Sequence, residues 1–424
     1  MSLIRTSALN GIAVVVRIGT ATALNKVLAL LVGPSGYALI GQFQNLLAVI
    51  TTFATGAVNT GVTKATAEYG DDRDRQLRLW RTATTVIVIA SLLAVAIIVG
   101  FSRTLAGYFL GNEGLASVLI WAAISILPIS FNALLLAILN GLKEVRRYVE
   151  INIAGSLVSL LVTAGLAWYL GLEGALIALS VNQAIVIVVT LCLVRHSEWF
   201  TPRRWLGRLD IIELRGLGRY SLMAATTALV GPASLLAVRQ ILLDRFGMDF
   251  AGYWDAMWRI STLYLTLVTT TLSLYYLPRI AEIRNWDEMS KELKQIIVVV
   301  VPVVAMLALT LFLARDLVVR LLFSDQFLPM EELFAFQLVG DIVKVTAWLF
   351  AFLMIGRGLT VAFIVTEIMA AAIFVVATWL LTGWLGFRGV AAAHLLNYAI
   401  YLTVVVGVTV GTPARRAYLL RSAR

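Results

Sequence analysis

Long apolar runs recur along the whole 424-residue chain, and short polar connections separate them. Twelve of these runs have close to the ~20 residues that an α-helix needs to cross a bilayer. They cover residues 9–32, 37–62, 82–102, 115–140, 150–170, 174–195, 218–243, 250–277, 295–314, 332–356, 358–382 and 388–411. The pattern predicts an all-α polytopic membrane protein with about twelve transmembrane helices.

Composition supports this class, because 60% of the residues are hydrophobic and only 14% are charged. The first apolar run lacks a small-residue cleavage site, so we expect it to remain as a span. One cysteine and two histidines exclude a disulfide framework and a metal centre rich in Cys or His. Neither a Walker loop nor a Gly-rich nucleotide loop is present, so we expect no cofactor and no ATP hydrolysis.

The connections alternate in charge. Of the 34 Lys and Arg residues, 24 fall on one side of the predicted spans, 5 on the other and 5 within the spans. The positive-inside rule then places both termini in the cytoplasm. Because topology accounts for the net charge of +10, a nucleic-acid partner is not expected.

The two halves of the chain resemble each other. The sequence LGLEGA at 170–175 returns as LGFRGV at 385–390, and Gly141 and Asn182 match Gly356 and Asn397 at the same offset. Several matches in one order predict duplication of a six-helix unit. The predicted organisation is an N-terminal lobe (1–195), a cytoplasmic linker (196–217), a C-terminal lobe (218–411) and a basic tail (412–424).

The predicted linker carries tryptophans among arginines. An amphipathic helix on the membrane surface would bury Trp199, Trp205 and Leu209 and leave the arginines at anionic headgroups.

The tenth span contains the apolar stretch 333–355, which carries Asp341 and Lys344 near its middle. A charge at that depth costs roughly 2.5–3.5 kcal/mol, and such residues commonly mark a transport pathway. The alternative is structural, because side chains three apart on a helix can neutralise each other. Glu367, near the middle of the eleventh span, is a second possible partner of Lys344 and a possible proton site.

Further charges lie in other spans. The first span holds Arg17 and Lys26, of which Lys26 is the better candidate for a cavity, and the seventh holds Arg239. In the eighth, Asp255 and Arg259 are four apart and are predicted to pair, with Trp254 and Trp258 beside them. Snorkelling cations and an interfacial aromatic belt are the structural alternatives to phosphate binding and sugar stacking.

These deep charges comprise five cations and three acids. A polar chamber with surplus positive charge favours an anionic cargo, since Arg and Lys donors suit phosphate and carboxylate. No connection on the outer side is long enough for a folded domain, so function is expected within the membrane.

One block of sequence is more specific than the rest. Residues 321–344, LLFSDQFLPMEELFAFQLVGDIVK, together with Gly61-Val62-Thr63-Lys64 and Tyr276-Leu277-Pro278, resemble the Wzx flippases of the MOP superfamily, and within them the enterobacterial common antigen (lipid III) branch. The resemblance covers essentially the whole chain.

It implies transfer of an undecaprenyl-pyrophosphate-linked oligosaccharide across the bacterial inner membrane, from the cytoplasmic to the periplasmic leaflet. Substrate binding would fall to Lys26, Arg239, Arg259, Lys344, Trp254 and Trp258, and ion coupling to Asp341, Glu367 and Asp255. The protein would be a monomer among membrane lipids, working with a polysaccharide polymerase and a chain-length regulator.

Three other functions remain open from the sequence. An ion-coupled antiporter of cationic drugs has the same fold, but it should show surplus acid. A membrane enzyme such as a polymerase or ligase needs a sizeable outer loop. A structural component of polysaccharide assembly needs no charges in mid-membrane.

Overall fold

The computed structural model describes residues 3–56, 58–70, 72–200, 205, 207, 209–272, 276, 280, 283, 286–356 and 359–411. These residues contain helices and no strand, which confirms the all-α class. The helices are α1 (Leu3–Ala54), α2 (Asn59–Tyr69), α3 (Arg73–Gly100), α4 (Ser102–Leu110), α5 (Ala116–Gly141), α6 (Val145–Val194), α7 (Ile211–Phe246), α8 (Met248–Thr271), α9 (Trp286–Leu313), α10 (Arg315–Leu322), α11 (Phe334–Gly356), α12 (Thr360–Leu385) and α13 (Gly389–Val410). Short 3-10 segments, Glu113–Leu115, Asp325–Leu333 and Gly386–Arg388, precede α5, α11 and α13. The predicted basic tail, 412–424, lies outside the described residues.

Seven stretches of the described chain are long and apolar enough to cross a bilayer, so the protein is multi-pass. Three of them, Val14–Ala54, Val145–Val194 and Thr360–Val410, have 41, 50 and 51 residues. Each is about twice the length that one crossing needs, and each contains a glycine at positive φ, Gly33, Gly171 or Gly386. Length and composition alone do not determine how many times such a bent stretch crosses the membrane. The number of twelve transmembrane helices therefore stays a prediction.

The chain divides into two compact units, Met1–Ala233 and Ser234–Arg424. The units repeat their elements: α3 and α9 are both 28 residues long, and each is followed by a short helix. The bends repeat as well, because Gly171 (φ 57°, ψ −135°) and Gly386 (φ 61°, ψ −145°) share one conformation. These repeats agree with the predicted duplication. The predicted lobe limits, with a linker at 196–217, stay a prediction.

The segment between α6 and α7 packs onto the first unit. Trp199 and Trp205 stack with ring centroids 6.1 Å apart, and Trp80 of α3 contacts them edge-on at 5.9 and 5.8 Å. Trp205 is 1% exposed, whereas Leu209 is 44% exposed. The predicted placement of Trp199 and Trp205 against the membrane is therefore wrong. The two tryptophans belong to a protein core, and the described residues from 196 to 210 form no helix.

The start of α7 is tied to the same unit. Glu213 accepts a hydrogen bond of 2.5 Å from the Tyr69 hydroxyl and lies 3.4 Å from Arg75 Nε. Burial of the phenol and the adjacent Glu213 carboxylate raise the pKa of Tyr69 to about 12. The phenol is therefore neutral at physiological pH and serves Glu213 as a donor.

Candidate functional site: a charged centre in the second unit

Helix α11 carries the two charges that the sequence singled out, and both are buried. Asp341 is fully buried and Lys344 is 8% exposed. The helix can approach α13 closely because residue 340 is glycine. A Cβ on Gly340 would lie 2.5 Å from His394 Cδ2 and 3.2 Å from the Leu395 Cα. The missing side chain therefore brings Asp341 within reach of α13.

Asp341 uses both carboxylate oxygens. Its Oδ2 accepts a hydrogen bond of 2.9 Å from the Tyr264 hydroxyl of α8, and its Oδ1 lies 3.0 Å from His394 Nε2 of α13. His394 is also fully buried. A carboxylate only accepts, so the facing imidazole nitrogen is the donor. Three helices thus meet at one carboxylate.

His394 is the residue that sequence reasoning missed. Two histidines cannot build a metal centre, and no role was assigned to either. The available signal was its position in α13, where it is the one ionisable side chain other than tyrosine. An ionisable side chain at membrane depth needs a partner and is rarely accidental.

The ammonium of Lys344 is held by aromatic rings. Its Nζ lies 4.8 Å from the ring centroid of Trp258, 4.9 Å from that of Trp348 and 5.2 Å from that of Tyr398. We call these three rings the aromatic box. Each cation–π contact contributes about 0.5–2 kcal/mol, more when desolvated. Within the described residues Lys344 forms no ion pair, so the direct pairing with Asp341 or Glu367 considered from the sequence is absent.

Glu367 of α12 is joined to this centre through tyrosines. It accepts a hydrogen bond of 3.0 Å from the Tyr401 hydroxyl, and the Tyr401 ring lies 6.2 Å from that of Tyr398. Its side chain is half-buried. We call Tyr264, Asp341, Lys344, Glu367 and His394 the charged centre.

The predicted cation Arg239 is engaged by an acid. Its Nε donates to Asp255 Oδ2 at 2.9 Å, and its Nη2 contacts Asp255 Oδ1. Arg239 is 1% and Asp255 6% exposed. The sequence suggested Arg259, one turn along α8, as the partner of Asp255, whereas the bidentate partner is Arg239 on α7. Asp255 occupies the Nε–Nη2 edge of the guanidinium, and the buried Nη1 has no hydrogen-bond partner among the described residues. In this arrangement Arg239 joins α7 to α8 through Asp255, and a role in substrate binding stays a prediction.

The remaining predicted site residues differ in how far their side chains are buried. Trp254 is 1% exposed and packs against Arg239, whose Cζ lies 5.7 Å from the ring centroid. Trp258 stacks on Phe374 of α12 at 6.1 Å and an interplanar angle of 22°. Arg259 is half-buried on α8, and Lys26 is half-buried on α1 in the first unit. The structure thus brings Trp258, Asp341 and Lys344 together directly, with Glu367 at the edge.

This arrangement can do two things. A cation held by rings can move to an anion without breaking an ion pair, and a carboxylate bonded to imidazole can share a proton with it. A metal is not suggested, since the described residues hold no cluster of three or more His, Cys, Asp or Glu side chains.

Known proteins share this sequence and fold. A family model described as polysaccharide biosynthesis protein matches residues 27–332. Lipid III flippases from Escherichia coli (strain K12) and Shigella flexneri are each 29% identical over 417 residues, which cover 96% of this chain and 98% of those proteins.

Solved structures agree on the architecture. An inward-facing multidrug resistance MATE family transporter of the MOP superfamily gives a TM-score of 0.79 at 15% identity, covering 95% of this chain and 94% of that one. A MOP superfamily transporter from Pyrococcus furiosus gives 0.73 at 14% identity, covering 97% and 95%.

The apolar helices and these folds define a multi-pass membrane protein with the fold of the MOP superfamily transporters. The chain belongs to the polysaccharide biosynthesis protein family, whose model matches well over half of it. The resemblance to Wzx flippases is confirmed at the level of family and fold.

Proposed function

We propose that this protein is a transporter, not an enzyme, and that it flips an undecaprenyl-pyrophosphate-linked oligosaccharide. The cargo is lipid III of the common antigen or a related O-antigen unit. It moves from the cytoplasmic to the periplasmic leaflet of the bacterial inner membrane by alternating access of the two lobes. Both relatives named above are lipid III flippases and match almost end to end.

The observation that carries the proposal is the aromatic box around Lys344. A buried ammonium in a membrane protein is costly, and here rings hold it without an ion pair within the described residues. The contact of a cation with aromatic rings is weaker than a hydrogen bond between that cation and an anionic pyrophosphate. Lys344 is therefore ready to transfer to a diphosphate headgroup.

The other site residues take complementary roles. Trp258 offers a ring face to sugar once Lys344 has left the aromatic box, and Lys26 and Arg259 add positive charge along the path. Arg239, Asp255 and Trp254 support α7 against α8. Asp341 and Glu367 are the acids that couple flipping to an ion gradient, with Asp255 excluded by its pairing to Arg239. A polymerase and a chain-length regulator are the proposed working partners of a monomeric flippase.

Complementation tests this function. The protein is expressed in a strain that lacks its lipid III flippase and in one that lacks an O-antigen flippase, and surface glycan is measured. We expect rescue in at least one strain by the native chain and by Lys344→Arg in part. Lys344→Ala should lower export by about tenfold or more, because the loss of a charged hydrogen bond to phosphate costs about 1.5–3 kcal/mol.

The matched control is Lys294→Ala, which removes an exposed lysine from α9 and should leave export unchanged. Protein amounts in the membrane are compared for every variant. Undiminished rescue by well-expressed Lys344→Ala contradicts the role of Lys344. No rescue in either strain, together with resistance to cationic drugs, would point instead to the antiporter.

A further inference from the structure

His394 is the buried titratable group that the proposed function leaves unused. Its Nε2 faces Asp341 Oδ1 at 3.0 Å, whereas its Nδ1 is buried and has no hydrogen-bond partner among the described residues. With Nε2 donating, the Nδ1 of the neutral ring carries the lone pair. The structure thus holds one vacant basic site, on the side of the ring away from the carboxylate.

The same ring lies beside the aromatic box. His394 contacts Trp258 at a centroid distance of 5.5 Å and Tyr398 at 4.9 Å. These are two of the three rings that hold Lys344. A protonated imidazole would therefore contact two of the same aromatic rings as the Lys344 ammonium.

The charges around His394 come from four helices. Tyr264 of α8 and Asp341 of α11 face it through the shared carboxylate, and Lys344 of α11 lies across the rings. Tyr398 of α13 contacts it directly. Glu367 of α12 is one step further away, behind Tyr401. While the imidazole is neutral, the positive charge in this group is that of Lys344, and the acids that face it are Asp341 and Glu367.

We infer that His394 takes a proton from water at Nδ1 and thereby drives Lys344 out of the aromatic box towards the anionic headgroup. The step forms one N–H bond and leaves hydroxide or a deprotonated donor in the water. It places two cations in a small space of low dielectric, where like charges repel strongly. Lys344 is the one that moves, since its four-carbon stem is flexible while the imidazole is fixed to Asp341.

This inference rests on the proposed function for its consequence, but its first step is measurable without transport. The chain has two histidines, and the other, His196, is exposed in the first unit. The variant His196→Asn carries a single histidine, and a ¹⁵N-histidine spectrum in nanodiscs then reports His394 alone. The six lysines are labelled at Cε in parallel, and Lys344→Arg assigns the Lys344 signal.

We expect His394 to titrate within the range of about pH 5 to about pH 8, in which imidazole changes charge. The neutral ring should carry its proton on Nε2. The Lys344 Cε–H signal should lose its ring-current shift as His394 gains the second proton. A ring that stays neutral throughout, or a Lys344 signal that does not follow it, overturns the inference.

Flipping in proteoliposomes supplies the functional readout. We expect the native flipping rate to rise about tenfold as the pH falls by about three units. One imidazole changes charge in that range, and its protonated form drives Lys344 towards the headgroup. His394→Gln keeps a donor for Asp341 but cannot titrate, so its rate should vary less than about twofold. His196→Gln is the matched control and should retain the native profile.

A native pH profile in His394→Gln contradicts the inference while the flippase function stands. Absence of flipping by the native chain at every pH contradicts the function instead, and the two spectra then decide the inference alone.

Discussion

A charge buried at membrane depth needs an acid, a hydrogen-bond donor or a ring face, and the second unit uses all three. Arg239 is held by Asp255, Asp341 by Tyr264 and His394, and Lys344 by the aromatic box. These solutions are not equivalent. The bidentate pair of Arg239 and Asp255 is fixed, whereas Lys344 on its aromatic rings can exchange its contacts. We therefore assign a structural role to the pair and a role in substrate binding to Lys344.

The fixed pair predicts a stability defect. Arg239→Ala should destabilise the protein by about 3–5 kcal/mol, because it leaves the Asp255 carboxylate buried and without its bidentate partner. The double variant Arg239→Met with Asp255→Leu removes both charges and should regain most of the lost stability. Thermal unfolding of the purified protein in detergent measures both.

The control for this pair is Arg320→Ala, which breaks exposed ion pairs on α10 and should change the melting temperature little. A double variant that is no more stable than Arg239→Ala would show that Arg239 supports the fold through other contacts. A melting temperature of Arg239→Ala equal to that of the native protein would remove the structural role altogether.

The sequence was sufficient to place the charges but not their partners. Apolar context marked Asp341, Lys344 and Glu367 as deep, and that needs only the local sequence. The hydrogen bonds of Asp341 cross from α11 to α8 and α13, and that of Glu367 crosses from α12 to α13. Helical spacing within one span carries no information on such contacts. For this reason the spacing of four favoured Arg259 as the partner of Asp255, whereas Arg239 on the preceding helix forms the bidentate pair.

At the scale of elements, helix contacts depend on where a side chain is missing. The backbones of α11 and α13 approach each other at Gly340, where a Cβ would overlap His394. Close approach at small residues is the usual way that membrane helices associate. Here it also sets the distance between Asp341 and His394.

Gly340→Ala should therefore separate α11 from α13. We expect a lower melting temperature and loss of most glycan export, because the Asp341–His394 hydrogen bond lengthens with the gap. Gly165→Ala is the matched control on α6, since its added Cβ meets no atom within 4 Å. Equal stability and export for both variants would mean that the helices adjust without cost.

Elements were predicted where an apolar run is bounded by charge, as for 333–355, which became α11. Prediction also placed a break between the spans 150–170 and 174–195, and Gly171 there has non-helical φ and ψ inside α6. It was wrong for the segment around Trp199 and Trp205. Tryptophan suits a membrane interface and a protein core equally well, and only the contact with Trp80 decides between them.

At the scale of the whole chain, the duplicated scaffold has diverged in its chemistry. Counting back 215 positions from Asp341, Lys344 and His394 leads to Ile126, Ile129 and Leu179. Ile126 is fully buried and Ile129 is 7% exposed, so the first unit fills the same places with apolar packing. The repeat therefore supplies the architecture, and the charged centre belongs to the second unit alone among these equivalent positions.

The charge pattern of the connections makes a prediction about the orientation of the entire chain. Cys192 is the single cysteine, so Cys192→Ala gives a background without thiols. In that background we add Gln326→Cys, in the exposed connection before α11, or Lys291→Cys, exposed near the start of α9. A membrane-impermeant maleimide applied to spheroplasts should label Gln326→Cys and leave Lys291→Cys unlabelled until the membrane is opened, because the basic connections remain inside. The reverse pattern would invert the topology and with it the leaflet from which the substrate enters.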